Sequence, residues 1–168
     1  MKTLISKDQI SERITTLAKE IYQDHQNELH FVCLLKGGFL FLADLIRALP
    51  GQLTLDFMAV SSYGNKLSST GKIKLLKDLD ISIKGKNVVI VEDIVDSGAT
   101  LAYVQKILLS REPKSLRTAC LLRKLNKYRS PIEINYVGFD IQDQFVVGYG
   151  LDYAEDYRNL PFIGIIKN

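Results

Sequence analysis

The sequence predicts an α/β fold with a parallel central sheet covered by helices on both faces. Strand-like and helix-like segments alternate through the middle of the chain. The strand-like runs there are continuously apolar rather than alternating, as strands buried on both faces are. Two polar turns, Lys36-Gly37-Gly38 and the stretch from Glu92 to Thr100, end such runs, so they fall on the carboxyl rim where parallel sheets hold their ligands.

Taken in order, Ile10, Ile14, Leu17, Ala18 and Ile21 recur at helical spacing, with Ser6 as N-cap. LHFVCLL (29–35) is a buried strand, and FLFLADLIRALP (39–50) is a helix stopped by Pro50-Gly51. LTLDFMAVSSYG (53–64) has strand composition, and the polar NKLSSTGK (65–72) is a mobile loop. GKNVVIVEDI (85–94) is the second buried strand. A helix over 99–111 follows, with Leu101, Val104, Ile107 and Leu108 on one side. SLRTACLL (115–122), INYVGFD (134–140), QFVVGYG (144–150) and LPFIGII (160–166) are further strands.

A length of 168 residues fits one domain. No apolar run approaches the roughly 20 residues that span a bilayer, and the polar start does not read as a leader, so the expected setting is the cytoplasm, away from membranes. Cys33 and Cys120 lie in apolar runs and read as buried thiols rather than a disulfide. With two His as well, any metal should be a hard one held by oxygen. A net charge of +3 falls short of a nucleic-acid binder but suits a phosphorylated small molecule.

The chemistry is concentrated in VVIVEDIVDSGAT (88–100). A plain strand-to-helix turn would leave three acids, Glu92, Asp93 and Asp96, repelling one another with no interleaved cation. A phosphate-accepting receiver domain would place its acid pair near the start of the chain, leaving the residues before Glu92 unexplained. A sugar-phosphate cradle explains more. Backbone N–H groups from Asp96 to Thr100, at the positive end of the next helix, would face an anion. Gly98 permits close approach, Ser97, Ala99 and Thr100 complete the turn, and Glu92 and Asp93 would accept from ribose hydroxyls. Neither G-x-x-x-x-G-K-[ST] nor G-x-G-x-x-G is present.

An apolar strand, Glu-Asp, two apolar residues and Asp-Ser-Gly-x-Thr together resemble the signature of type I phosphoribosyltransferases, which bind phosphoribosyl pyrophosphate. LLKGG (34–38), SSYG (61–64), LLRK ending at Lys124 and FVVGYGLDYAEDYR (145–158) resemble, in order, the pyrophosphate loop, flexible loop, base-recognition lysine and purine-binding hood of the hypoxanthine-guanine phosphoribosyltransferases. The resemblance implies one phosphoribosyltransferase domain over 1–168. Its hood would come from N-terminal residues and about 145–168, with a flexible loop, including Ser62 and Tyr63, closing over the site.

The implied reaction is transfer of 5-phosphoribosyl from phosphoribosyl pyrophosphate to hypoxanthine, and to guanine, giving IMP, GMP and pyrophosphate. Mg2+ is the implied cofactor, near Glu92 and Asp93, with a second ion at Asp152. Lys36, Gly37 and Arg158 would hold pyrophosphate, and the Leu35-Lys36 peptide is implied to be cis. Asp96 would be the general base, against an alternative role as a helix-terminal acid. Lys124 would donate to the 6-oxo group, against an alternative as one of a solvated basic group with Arg123, Lys127 and Arg129. Phe145, the Val146 backbone and Asp152 would complete the purine site; Val147 reads as core. Arg158 reads alternatively as a surface cation beside Glu155 and Asp156. Two positions depart from the family pattern. Ala99 replaces a longer or basic side chain, and Gly150 replaces a small side chain, which softens the hood. A homodimer or homotetramer is implied. The rival readings are a xanthine-preferring relative and a non-catalytic sensor of phosphoribosyl pyrophosphate.

Overall fold

A computed structural model describes residues 1–25, 28–63, 72–127 and 132–166. The central sheet has six strands. They are β2 (Leu29–Leu35), β3 (Leu53–Tyr63), β4 (Lys72–Lys77), β5 (Asn87–Val95), β6 (Ser115–Lys124) and β7 (Tyr136–Ile141), in the order β4-β3-β2-β5-β6-β7. All neighbours are parallel except β3 and β4. The parallel α/β expectation therefore holds, with one antiparallel edge strand added.

Alternation along the strands assigns their side chains to two cores. Phe31, Cys33, Val89, Val91, Ala119 and Leu121 face α1 (Lys7–His25) and α2 (Phe39–Arg47). Val32, Leu34, Val88, Ile90 and Cys120 face α3 (Ala99–Leu109) through Leu101, Val104 and Leu108. Both faces are dry, which is why these strands read as unbroken apolar runs.

Helix α1 forms where its apolar spacing placed it, and Ile10, Ile14, Leu17, Ala18 and Ile21 are all buried. Its start is closed by a reciprocal cap. Gln9 N–H donates to Ser6 Oγ at 3.2 Å, and Ser6 N–H donates to Gln9 Oε1 at 2.8 Å. Helix α3 starts at Gly98, whose φ of 86° is a left-handed conformation suited to glycine.

A second, three-stranded antiparallel sheet joins the chain ends: β1 (Lys2–Ile5), β9 (Ile163–Ile165) and β8 (Val146–Val147). Of the runs 144–150 and 160–166, read as strands, only Val146–Val147 and Ile163–Ile165 form strands, and both lie in this sheet. Ile5, Val146, Leu151 and Ile163 join it to the α1/α2 core. No helix among the described residues is long and apolar enough to cross a membrane.

Candidate active site

Parallel order brings three strand ends to one rim. At the first, β2 passes through a cis Leu35–Lys36 peptide into Lys36-Gly37-Gly38, as the resemblance implied. At the second, β5 carries Glu92 and Asp93 and turns at Asp96-Ser97-Gly98 into α3. At the third, β6 ends on Lys124.

Gly37 and Asp93 are in intimate contact, because a Cβ built at Gly37 would coincide with the Asp93 carboxyl. That carboxyl accepts the Ile94 N–H at 2.8 Å, and the Glu92 carboxyl accepts the Asp93 N–H at 3.2 Å. Burial, then the charge of Asp93, holds the Glu92 carboxyl well above the usual range. Burial raises Asp93 too. The pair is short of positive charge.

The turn after β5 lines a cavity of about 130 Å3 together with Glu92, Ile94 and Val95. Asp96, Ser97, Gly98, Ala99 and Thr100 form its other walls, at the amino end of α3. Ser97 Oγ accepts the Ala99 N–H at 3.3 Å. A much larger concavity, about 840 Å3, lies at the opposite end of the sheet, among Leu29, Leu53, Gly85 and Asn87. It collects strand starts and none of the acid-glycine turn.

Lys124 is buried, with 8% of its surface exposed, so it is not part of a solvated basic face. Its Nζ stands 3.6 Å from Asp96 Oδ2 and 3.3 Å from Asp143 Oδ1. Lys127 Nζ is 3.0 Å from Asp143 and 3.9 Å from Asp96. Arg123 is turned away into an ion pair with Asp140 at 2.7 Å, and Arg129 lies outside the described residues. Asp143 was not singled out in the sequence. Its only signal there is a lone acid before Phe145 in QDQFVV, which looks like an ordinary loop residue.

On the other side of the rim, Arg158 Nη1 donates to the Gly150 carbonyl at 2.7 Å. Its Nη2 pairs with Asp152 at 3.1 Å and with Glu155 at 3.4 Å. Its Nε is buried and lacks a hydrogen-bond partner among the described residues. Arg158 is thus a built-in cation rather than a surface one, and it pulls down on the nearby Asp93 carboxyl. Lys36 Nζ pairs with Glu155 at 3.0 Å. Asp152 also accepts the Glu155 N–H at 2.9 Å, so both its oxygens are engaged.

Phe145 is 47% exposed, with its ring edge-to-face on Tyr153 at 5.5 Å. Val146 is paired with Ile165 in the small sheet, and Val147 is fully buried, as expected of a core residue. Gly150 has φ of 98°, and a Cβ there would meet the Gly37 carbonyl. The position therefore favours glycine in this chain. Ser62 and Tyr63 pair with Ile73 and Lys72 at the end of the β3–β4 hairpin. Their side chains, and the loop from Gly64 to Gly71, lie outside the described residues.

The phosphoribosyl transferase domain family matches residues 5–154. The chain is 45% identical over 167 residues to the hypoxanthine-guanine phosphoribosyltransferase of Bacillus subtilis, covering 99% of this chain and 93% of that protein. It is 47% identical to the hypoxanthine phosphoribosyltransferase of Escherichia coli, covering 98% and 94%. The chain belongs to the hypoxanthine-guanine phosphoribosyltransferase family. A crystal structure of a hypoxanthine-guanine phosphoribosyltransferase from Bacillus anthracis, with a HEPES molecule in its active site, superposes with a TM-score of 0.95 at 47% identity, over 99% of both chains.

Family membership implies magnesium, and the donor set fits it. Glu92 and Asp93 offer oxygen ligands deficient in positive charge. The described residues contain no cluster of three or more His, Cys, Asp or Glu able to enclose a metal. A magnesium ion here would complete its shell with water and substrate oxygens, which is its habit.

Proposed function

We propose that this protein transfers the 5-phosphoribosyl group of phosphoribosyl pyrophosphate to hypoxanthine and guanine, forming IMP or GMP and pyrophosphate. One observation carries the reading. Asp96 and Lys124, from different strand ends, stand 3.6 Å apart at the rim, an acceptor beside a donor. Hypoxanthine and guanine present the complementary pattern on one edge, an imidazole N–H beside a 6-oxo oxygen. Adenine presents an amino donor at position 6, which a buried ammonium cannot match.

The small cavity at residues 96–100 takes the 5-phosphate, held by backbone N–H groups and the α3 dipole. Glu92 and Asp93 accept from the ribose hydroxyls. Lys36, Gly37 and Arg158 face the pyrophosphate, and Asp152 orients Arg158. Magnesium, when bound at Glu92 and Asp93 or beside Asp152, supplies charge neutralisation for the leaving pyrophosphate. Phe145 covers the purine ring, with the Val146 backbone at its edge. Asp96 receives the proton from the imidazole nitrogen as the other imidazole nitrogen attacks the anomeric carbon. The small sheet acts as the hood of a single domain, and the loop at Ser62 and Tyr63 excludes water on closing.

A cytoplasmic homodimer or homotetramer belongs to this proposal. Two buried free thiols suit a reducing compartment, and exposed Phe39, Leu55 and Leu76 offer apolar surface for a second subunit. The test is a panel assay with Mg2+, phosphoribosyl pyrophosphate and hypoxanthine, guanine, xanthine or adenine. Hypoxanthine and guanine should be consumed, and adenine about 10⁴-fold less efficiently. Failure to consume either 6-oxopurine would overturn the proposal.

A further inference from the structure

The purine side of the rim holds a carboxylate that the mechanism above leaves without a role. Asp143 lies in the connection between β7 and β8. It is the nearer acid to both lysines, at 3.3 Å from Lys124 and 3.0 Å from Lys127, against 3.6 and 3.9 Å for Asp96.

An ammonium on a four-carbon stem has three donors and no plane of its own, so its aim is set by the acceptors around it. Asp96 is a poor choice for that duty. As it takes up the purine proton its negative charge disappears, and its hold on Lys124 weakens at the moment the 6-oxo contact matters. Asp143 keeps its charge, since the Lys127 ammonium beside it holds its carboxyl below the usual range. Lys127 also balances the second acid, leaving two carboxylates against two ammonium groups. Asp143 is two residues before Phe145, so one short connection carries both the covering ring and the anchor.

We propose that Asp143 is the positioning residue for Lys124, aiming its ammonium at the oxygen on purine position 6 and thereby setting preference for 6-oxopurines. This deepens the function proposed above and rests on Lys124 being the purine contact.

The test compares two nucleotides by calorimetry: IMP, and purine riboside 5′-monophosphate, which lacks the 6-oxygen. Asp143→Asn should weaken IMP binding about tenfold and leave the other nucleotide within about twofold. The KM for hypoxanthine should rise similarly while that for phosphoribosyl pyrophosphate stays put. Asp143→Glu should restore IMP binding to within about threefold, because it returns the charge. Equal weakening of both nucleotides, or of neither, would overturn the inference, since a merely structural acid does not distinguish them. If the unaltered protein itself binds both nucleotides alike, Lys124 is not the purine contact, and the parent reading falls before this one.

Discussion

Gly37→Ala is a sharp test of the rim, because its cost is readable from one contact. Gly37 does not adopt a left-handed φ, so alanine meets no backbone penalty there. The new Cβ would instead coincide with the Asp93 carboxyl, which must rotate away and give up the Ile94 N–H it holds at 2.8 Å. Overpacking of this kind costs about 1–3 kcal/mol, and a hydrogen bond to a charged group is worth about 1.5–3 kcal/mol. Partial relaxation leaves an expected loss of about 2–4 kcal/mol, and at about 2–4 °C per kcal/mol for this size the melting temperature should fall by about 5–15 °C. Displacing Asp93 by about 1 Å should also lower kcat/KM for phosphoribosyl pyrophosphate about 10²-fold. Gly51→Ala is the control. It has open space around it but φ of 84°, so it suffers the backbone penalty without the clash. Differential scanning fluorimetry and steady-state kinetics read both effects. If Gly37→Ala melts no lower than Gly51→Ala and keeps kcat/KM within about threefold, the Gly37–Asp93 contact does not organise the site.

Three further outcomes are expected. Asp96→Asn should reduce kcat about 10²–10⁴-fold in rapid-quench assays while phosphoribosyl pyrophosphate binds nearly as before; near-normal turnover would remove Asp96 from the proton transfer. Glu92→Gln should stabilise the unliganded protein at neutral pH. The folded-state pKa of Glu92 is raised, so between its unfolded value, about 4.3, and the raised one, the folded chain binds more protons, and stability falls as pH increases through that window. The melting advantage of the Gln variant should therefore be absent near pH 4 and grow as pH rises from there; a pH-independent difference would contradict the assignment. Ser6→Ala removes one half of the α1 cap and should cost about 1 kcal/mol, measured by urea unfolding, with activity unchanged.

Legibility from sequence followed the range over which each feature is determined. The α1 stripe, the buried runs of β2 and β5 and the turn at Gly98 are set by neighbours within a few residues, and each appeared where it was read. β4 was missed because KIKLLK alternates Lys with apolar residues. That pattern suits a half-exposed edge beside β3, but it also describes a polar loop. Lys2–Ile5 was missed because four residues with one buried side chain carry almost no signal until β9 lies against them. The site divides the same way. Glu92, Asp93, Asp96 and Gly98 share one strand end and the turn after it and were legible together. Asp143 becomes a candidate only when folding brings it to Lys124, 19 positions away.

The meeting of Asp96 and Lys124 depends in turn on strand register, which apolarity alone does not secure. The central runs Val88–Val91 and Ala119–Leu122 are buried on both faces, so within them a slip exchanges one apolar side chain for another and meets little resistance from polarity. The polar residues at the strand starts supply the missing constraint. Asn87 is paired with Ser115, and Ser115 Oγ donates to Asn87 Oδ1 at 2.9 Å. From that lock the ladder runs without a shift through Glu92 opposite Cys120 to Val95 opposite Arg123, one residue short of Asp96 and Lys124 on their respective strands. A slip of two residues would carry Lys124 about 7 Å along the strand, beyond any contact with Asp96. The hydrogen bond at the far end of the sheet therefore helps hold the spacing on which the proposed purine recognition relies.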